Sequence, residues 1–113
     1  METPLIRRGT TPTIMVTVRG VDLASWPAVV LSLRTFSGVG VDIDKSELEV
    51  TSSRVDDAPC SIISAHLTQA QTLSWDSGAK VFVQVRARSV NDDAIASEIG
   101  TLRVGGLLKD GEV

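Results

Sequence analysis

The chain of 113 residues has one cysteine, one histidine, no tyrosine, two tryptophans and two phenylalanines. A lone Cys60 excludes an intrachain disulfide, and with His66 as its single companion it excludes a structural zinc site of four nitrogen or sulfur ligands. The fold must therefore stand on its hydrophobic core. No stretch approaches the ~20 apolar residues of a membrane-spanning helix, and the segment after Arg7 and Arg8 lacks the apolar run of a signal peptide. Basic excess is missing too. A net charge of −3 and a pI near 5.0 leave no polybasic footprint for nucleic acid. These absences predict a protein made in a reducing cytoplasm, with neither nucleic acid nor membrane among its partners.

What remains is an ordinary globular composition, 42% hydrophobic and 22% charged, at a length that suits one domain over residues 1–113. Period-two alternation runs through it. Ile14, Val16 and Val18 alternate with polar residues over Thr13–Arg19, and Val29, Leu31 and Leu33 alternate over Ala28–Thr35. Shorter runs at Val41–Asp44 and Leu48–Thr51 are joined near Lys45-Ser46. Cys60–Leu67 has Ile62 beside Ile63, so periodicity leaves its inner face open. The clearest stretch is Lys80–Val104. Val81, Val83, Val85 and Ala87 alternate with Phe82, Gln84, Arg86 and Arg88, the Asn91-Asp92-Asp93 cluster makes a turn, and a second β-prone run returns from Ala94. Placing Arg86 opposite Glu98 sets Val85 against Ile99 and Ala87 against Ser97. The shift of apolar parity to Leu102 and Val104 then predicts a bulge or bend near Gly100-Thr101.

Thr68-Gln69-Ala70-Gln71 has the form of a capping box, which predicts one short helical turn near 68–74. About seven short strands with turn residues between them and one helical turn predict an all-β fold. Its form is a single antiparallel β-sandwich of immunoglobulin-like type, with an open barrel as the alternative. The Cys–Trp–Cys signature of antibody domains is absent, so the label concerns architecture. An N-terminal arm (1–12), rich in proline and glycine, and a C-terminal tail (105–113) lie outside the predicted sandwich.

Candidate chemistry is sparse. Histidine is the side chain suited to proton transfer near neutrality, but His66, in a strand between Ala65 and Leu67, reads as structural without a neighbouring nucleophile or carboxylate. Cys60 follows Ala58-Pro59 with no basic cluster to lower its pKa and reads as a packed thiol. Asp42, Asp44, Glu47 and Glu49 could offer oxygens to Ca²⁺, yet their spacing fails the EF-hand pattern, and alternate carboxylates on a strand also describe a solvated face. Asp56-Asp57 and Asp92-Asp93 read as turn formers. Gly38-Val39-Gly40 has no following helix to make a dinucleotide fingerprint. Trp26 and Trp75 serve as end plugs of a core as readily as sugar platforms. The chain therefore carries no predicted catalytic, cofactor or metal residues.

Three stretches carry a likeness. Arg8-Gly9-Thr10-Thr11-Pro12 near the start, the L-T-Q-x-x-T-L segment at Leu67–Leu73, and the V-F-V-Q-V-R strand at Val81–Arg86 resemble a group of short proteins from phages and prophages. Those proteins resemble small immunoglobulin-like or baseplate-upper-protein-like domains of tailed-phage virions. The resemblance implies a non-enzymatic structural or assembly protein of the particle, in the tail or baseplate more than the head. It would be made in the bacterial host cytoplasm and located in the virion, with other virion proteins and copies of itself as partners and no cofactor. Leu5, Ile6, Arg7 and Arg8 of the arm and Leu107, Leu108 and Val113 of the tail are the expected protein contacts. A carbohydrate- or Ca²⁺-binding β-sandwich module is the alternative.

Overall fold

A computed structural model describes residues 5–7, 9–76, 78–97 and 99–105. Among these, nine strands run in chain order: β1 (Leu5–Arg7), β2 (Thr13–Arg19), β3 (Ala28–Thr35), β4 (Gly40–Asp44), β5 (Glu49–Val55), β6 (Ala58–His66), β7 (Lys80–Arg88), β8 (Ala94–Ala96) and β9 (Gly100–Gly105). A 3-10 turn at Lys45–Glu47 separates β4 from β5, and a single-turn helix α1 (Gln69–Leu73) separates β6 from β7.

The strands form two sheets. The larger has the order β1-β9-β7-β3-β4, with β8 also paired to β7, and the smaller has the order β2-β6-β5. The described pairings are antiparallel except that of β1 with β9. Successive strands change sheet between β1 and β2, β2 and β3, β4 and β5, and β6 and β7. In immunoglobulin terms β2, β5 and β6 stand where strands B, D and E stand, facing β3, β4, β7 and β9 at the places of C, C′, F and G. The predicted sandwich is the fold. Its strands outnumber the seven or so expected because the return strand after β7 is split into β8 and β9 and because the N-terminal segment supplies β1.

The alternating residues meet between the sheets as expected. Val29, Leu31 and Leu33 of β3 and Val81, Val83, Val85 and Ala87 of β7 are buried against Ile14 and Val18 of β2 and Ile63 and Ala65 of β6. The ambiguity in β6 is resolved as well: Ile63 faces inward with Ser61 and Ala65, leaving Ile62 half-buried. Ser61 is wholly buried because its hydroxyl anchors the β2–β3 connection, accepting from Leu23 N–H at 2.7 Å and donating to the Val21 carbonyl at 2.8 Å. Leu23, Leu67 and Trp75 complete the core. Gly40 opens β4 hard against β3, where a Cβ would collide with the Leu33 carbonyl oxygen.

Two expectations need correction. The arm is part of the sandwich: Ile6 pairs with Val104 and is 7% exposed, so its side chain serves its own core and not a neighbour. The register of the hairpin also differs. Arg86 stands opposite Ala96 and Ala87 opposite Ile95, and Ile99 is 61% exposed.

The cause of the register lies in the turn. Ser89–Asp93 closes tightly, with Ser89 N–H donating to the Asp93 carbonyl and the Ser89 hydroxyl accepting from the N–H groups of Asn91 and Asp93. The return strand therefore starts two residues earlier than the Arg86–Glu98 pairing supposed.

The bulge is present, displaced to the stretch between the pairs at Ala96 and Gly100. From Arg86 to Val83 the chain advances three residues, while the partner advances four, from Ala96 to Gly100. Ser97 bridges the gap by taking both ladder bonds of Val85: its N–H donates to the Val85 carbonyl at 2.8 Å and its hydroxyl accepts from the Val85 N–H at 2.9 Å. The extra residue returns Leu102 and Val104 to the core.

Two stability outcomes follow from these features. Ile6→Ala lowers the unfolding free energy by about 2–4 kcal/mol in urea, as a core isoleucine does; an unchanged midpoint would make residues 5–7 a docking arm after all. Asp56 and Asp57 form a two-residue β5–β6 turn with φ of 52° and 62° at its centre, the left-handed pair of a type I′ turn. Asp57→Gly therefore raises stability by roughly 0.5–1 kcal/mol, read as a higher thermal midpoint.

Candidate functional site

The residues singled out from sequence scatter. His66 ends β6 on the exposed side, its Nδ1 lying 3.3 Å from the Thr13 hydroxyl. Cys60 is a buried free thiol. Trp75 is buried and its Nε1–H donates to the Val39 carbonyl at 3.2 Å, so it plugs one end of the core and offers no platform for a sugar. Trp26 is partly buried and packs against the same core. Asp42 accepts from the Ser32 hydroxyl at 2.7 Å and is ion-paired with Arg34. Among the described residues no group of three or more His, Cys, Asp or Glu side chains could hold a metal ion. No helix among them is long and apolar enough to cross a membrane.

Of the expected contact residues, Ile6 is in the core and Arg7 is exposed at the end of β1, an edge strand of the larger sheet. Leu5 pairs through its backbone with Arg103. Arg8, Leu107, Leu108 and Val113 lie outside the described residues.

The two most distinctive sequence motifs meet in space. Thr68 and Gln71 form the predicted capping box, Gln71 N–H donating to the Thr68 hydroxyl and the Gln71 side chain accepting from Thr68 N–H. One helical turn places Thr72 inward, where its wholly buried hydroxyl donates to the Thr10 carbonyl at 2.9 Å. Leu67 N–H donates to the Pro12 carbonyl, also at 2.9 Å. Thr10–Pro12 and Leu67–Leu73 are thus two halves of one latch beside the passage of the chain from the larger sheet to the smaller.

A surface that the linear reading missed is the outer face of the larger sheet. Side chains opposite the core on this sheet follow from the register: Asp44, Val30, Arg86 and Ala96 lie in one row, Asp42, Ser32 and Gln84 in the next, then Arg34, Phe82 and Thr101, then Lys80 and Arg103. Arg88 and Arg7 extend the same face. Six cations therefore share it with two described carboxylates, in a chain whose net charge is −3. Overall charge hides this asymmetry. Its signal in the sequence was the outward parity of Lys80, Arg86 and Arg88 on β7, but only the strand order brings Arg34, Arg103 and Arg7 beside them. The ammonium of Lys80 sits 5.6 Å from the centre of the Phe82 ring. Toward the β7–β8 turn the small side chains Ala28, Val30 and Ala94 leave an open concavity of about 570 Å³, rimmed by Arg86, Arg88 and Asp44.

No protein-family model matches the chain, and no curated protein matches it as a relative. The fold defines the class: a β-sandwich of immunoglobulin-like topology with a charged outer sheet face.

At the opposite side of the sandwich, Asp22 ties the β2–β3 connection to β5. Its carboxylate accepts from the Ser52 hydroxyl at 2.7 Å and from Ala24 N–H at 3.1 Å, and these bonds, the first the larger effect, hold its pKa below the ordinary value. A depressed pKa means a contribution to stability that is present above the unfolded-state value and lost as pH falls through the folded one. Asp22→Asn accordingly lowers the thermal midpoint slightly at neutral pH, and the difference from wild type closes in acid; a gap that stays constant with pH would show that the charge is immaterial.

Proposed function

We propose that this chain is a non-enzymatic structural or assembly module of a tailed phage or prophage particle, in the tail or baseplate more than the head. It works through contacts with other virion proteins and with copies of itself. Its place is the virion, after synthesis in the bacterial host cytoplasm, and neither nucleic acid nor membrane is among its partners.

The observation that carries this reading is the latch. Of the three stretches that carry the resemblance to phage proteins, Arg8–Pro12 and Leu67–Leu73 are the two that alternating valines alone would not generate. These stretches hydrogen-bond to each other through Thr72 and Leu67. A likeness that falls on two halves of one structural unit is better support for shared architecture than two separate short matches. The alternative, a Ca²⁺- or sugar-binding module, gains nothing comparable, since Asp42 is already occupied by Arg34 and Ser32 and Trp75 is buried.

The test is the composition of the particle. Virions or induced prophage particles from a strain encoding the chain, banded by density and analysed by mass spectrometry, should contain it in fixed ratio to tail proteins. Its absence from intact particles would remove the assembly reading.

A further inference from the structure

The outer face of the larger sheet is charged in a pattern that complements itself. Along the row Asp44–Val30–Arg86 a carboxylate, a half-buried valine and a guanidinium follow one another across three adjacent strands. Neighbouring strands are ~4.8 Å apart, so the two charges stand roughly 10 Å apart at the backbone with Val30 midway. Among the described residues neither Asp44 nor Arg86 has an ion pair or side-chain hydrogen bond of its own. We propose that this face is an isologous interface between two copies of the chain, related by a two-fold axis parallel to the strands and passing over Val30.

That axis turns each row end for end. It sets Asp44 of each copy against Arg86 of the other twice over, and Val30 against Val30. In the adjacent row Arg88 is directed toward the 3-10 turn of the second copy, which presents the exposed Glu47. The cation of that turn, Lys45, is already engaged, donating to the carbonyls of Ala24 and Trp26. Arg34 meets Arg34 of the second copy, and each is neutralised by its own Asp42. A two-fold axis across the strands would instead bring β4 onto β4 and β7 onto β7, with like charges opposed. Charge thus selects one of the two ways of laying the face on itself.

The size of the overlap sets the expected strength. Centred on β3, it covers β7, β3 and β4, and three strand positions at ~4.8 Å by eight residues at ~3.3 Å give roughly 400 Å² per copy. With about 800 Å² in total before β8 and the 3-10 turn add their edges, the contact belongs with small, transient interfaces. A weak pair, dissociating at roughly 100 μM and loosening with salt, is the expectation, because exposed charge pairs are screened within ~10 Å at 0.1 M salt. This contact rests on the assembly reading for its biological setting, although its chemistry is independent of it.

Charge reversal gives a decisive test. Asp44→Lys and Arg86→Glu change polar side chains of the outer face and should leave the circular dichroism melt close to wild type. Sedimentation equilibrium on the full chain at 50 mM salt should show a wild-type dimer and at least a tenfold weaker association of each variant alone. An equimolar mixture of the two variants should dimerise again. A mixed pair keeps one native Asp44–Arg86 contact and forms a second between the two substituted positions, with the signs of the charges exchanged. Native mass spectrometry should find the mixed dimer in excess over either homodimer. A wild-type monomer up to millimolar concentration would overturn the proposal, as would a dimer indifferent to both reversals or variants that do not recover on mixing. Any of these could occur while the chain is still found in particles, so loss of this interface and loss of the assembly reading are separable.

Discussion

The sandwich depends on how its first segment passes from one sheet to the other. Between Arg7, the last residue of β1, and Thr13, the first of β2, only five residues bridge the layers. Thr72 and Leu67 supply partners for this crossing by bonding the carbonyls of Thr10 and Pro12. Leaving the buried Thr72 hydroxyl unpaired would cost about 1–3 kcal/mol, so the crossover and the helical turn α1 stabilise each other. Three features then become linked: α1 needs its Thr68–Gln71 capping box to aim Thr72, β1 needs the crossover to reach β9, and Ile6 needs β1 to enter the core.

Much of this architecture was legible in residue order. The strands of Thr13–Arg19 and Ala28–Thr35 appear with the predicted ends, and the capping box at Thr68 forms as its letters suggest. Local chemistry decides those features. The position of the arm was not legible, because three residues of strand carry too little period to distinguish a docked edge from a free extension; Ile6 is inside for reasons that lie in Val104, almost a hundred residues away. Hairpin register failed for a related reason. Matching Arg86 with Glu98 weighed a surface ion pair against turn closure, and the Ser89 hydroxyl, satisfying two backbone donors at once, outweighs a contact that water would largely screen. The charged outer face was half legible: parity gave Lys80, Arg86 and Arg88, and strand order, which no local pattern encodes, gave the rest.

Charge distribution separates the roles of the two sheets. The smaller sheet is tied by hydroxyls: Ser61 to Val21 and Leu23, Ser52 to Asp22, Thr13 beside His66. The larger sheet carries most of the cations and most of the buried valines. A hydroxyl-rich layer behind a cationic layer gives the domain a direction, and an acidic chain can in this way present a basic surface without changing its overall charge.

The extra residue between Ala96 and Gly100 has a consequence for how this chain can vary in length. Side chains before it and after it reach the same core at the present length only because one residue is left over. Removing one residue there would leave two residues facing Gln84 and Val85, closing the ladder while Gly100 stays opposite Val83 and Leu102 opposite Val81. Removing two would leave one residue facing two, and Leu102 and Val104 would then keep their inward places only if β7 bulged in turn. The strand can therefore be shortened by one residue at this point without disturbing the core, and by no more.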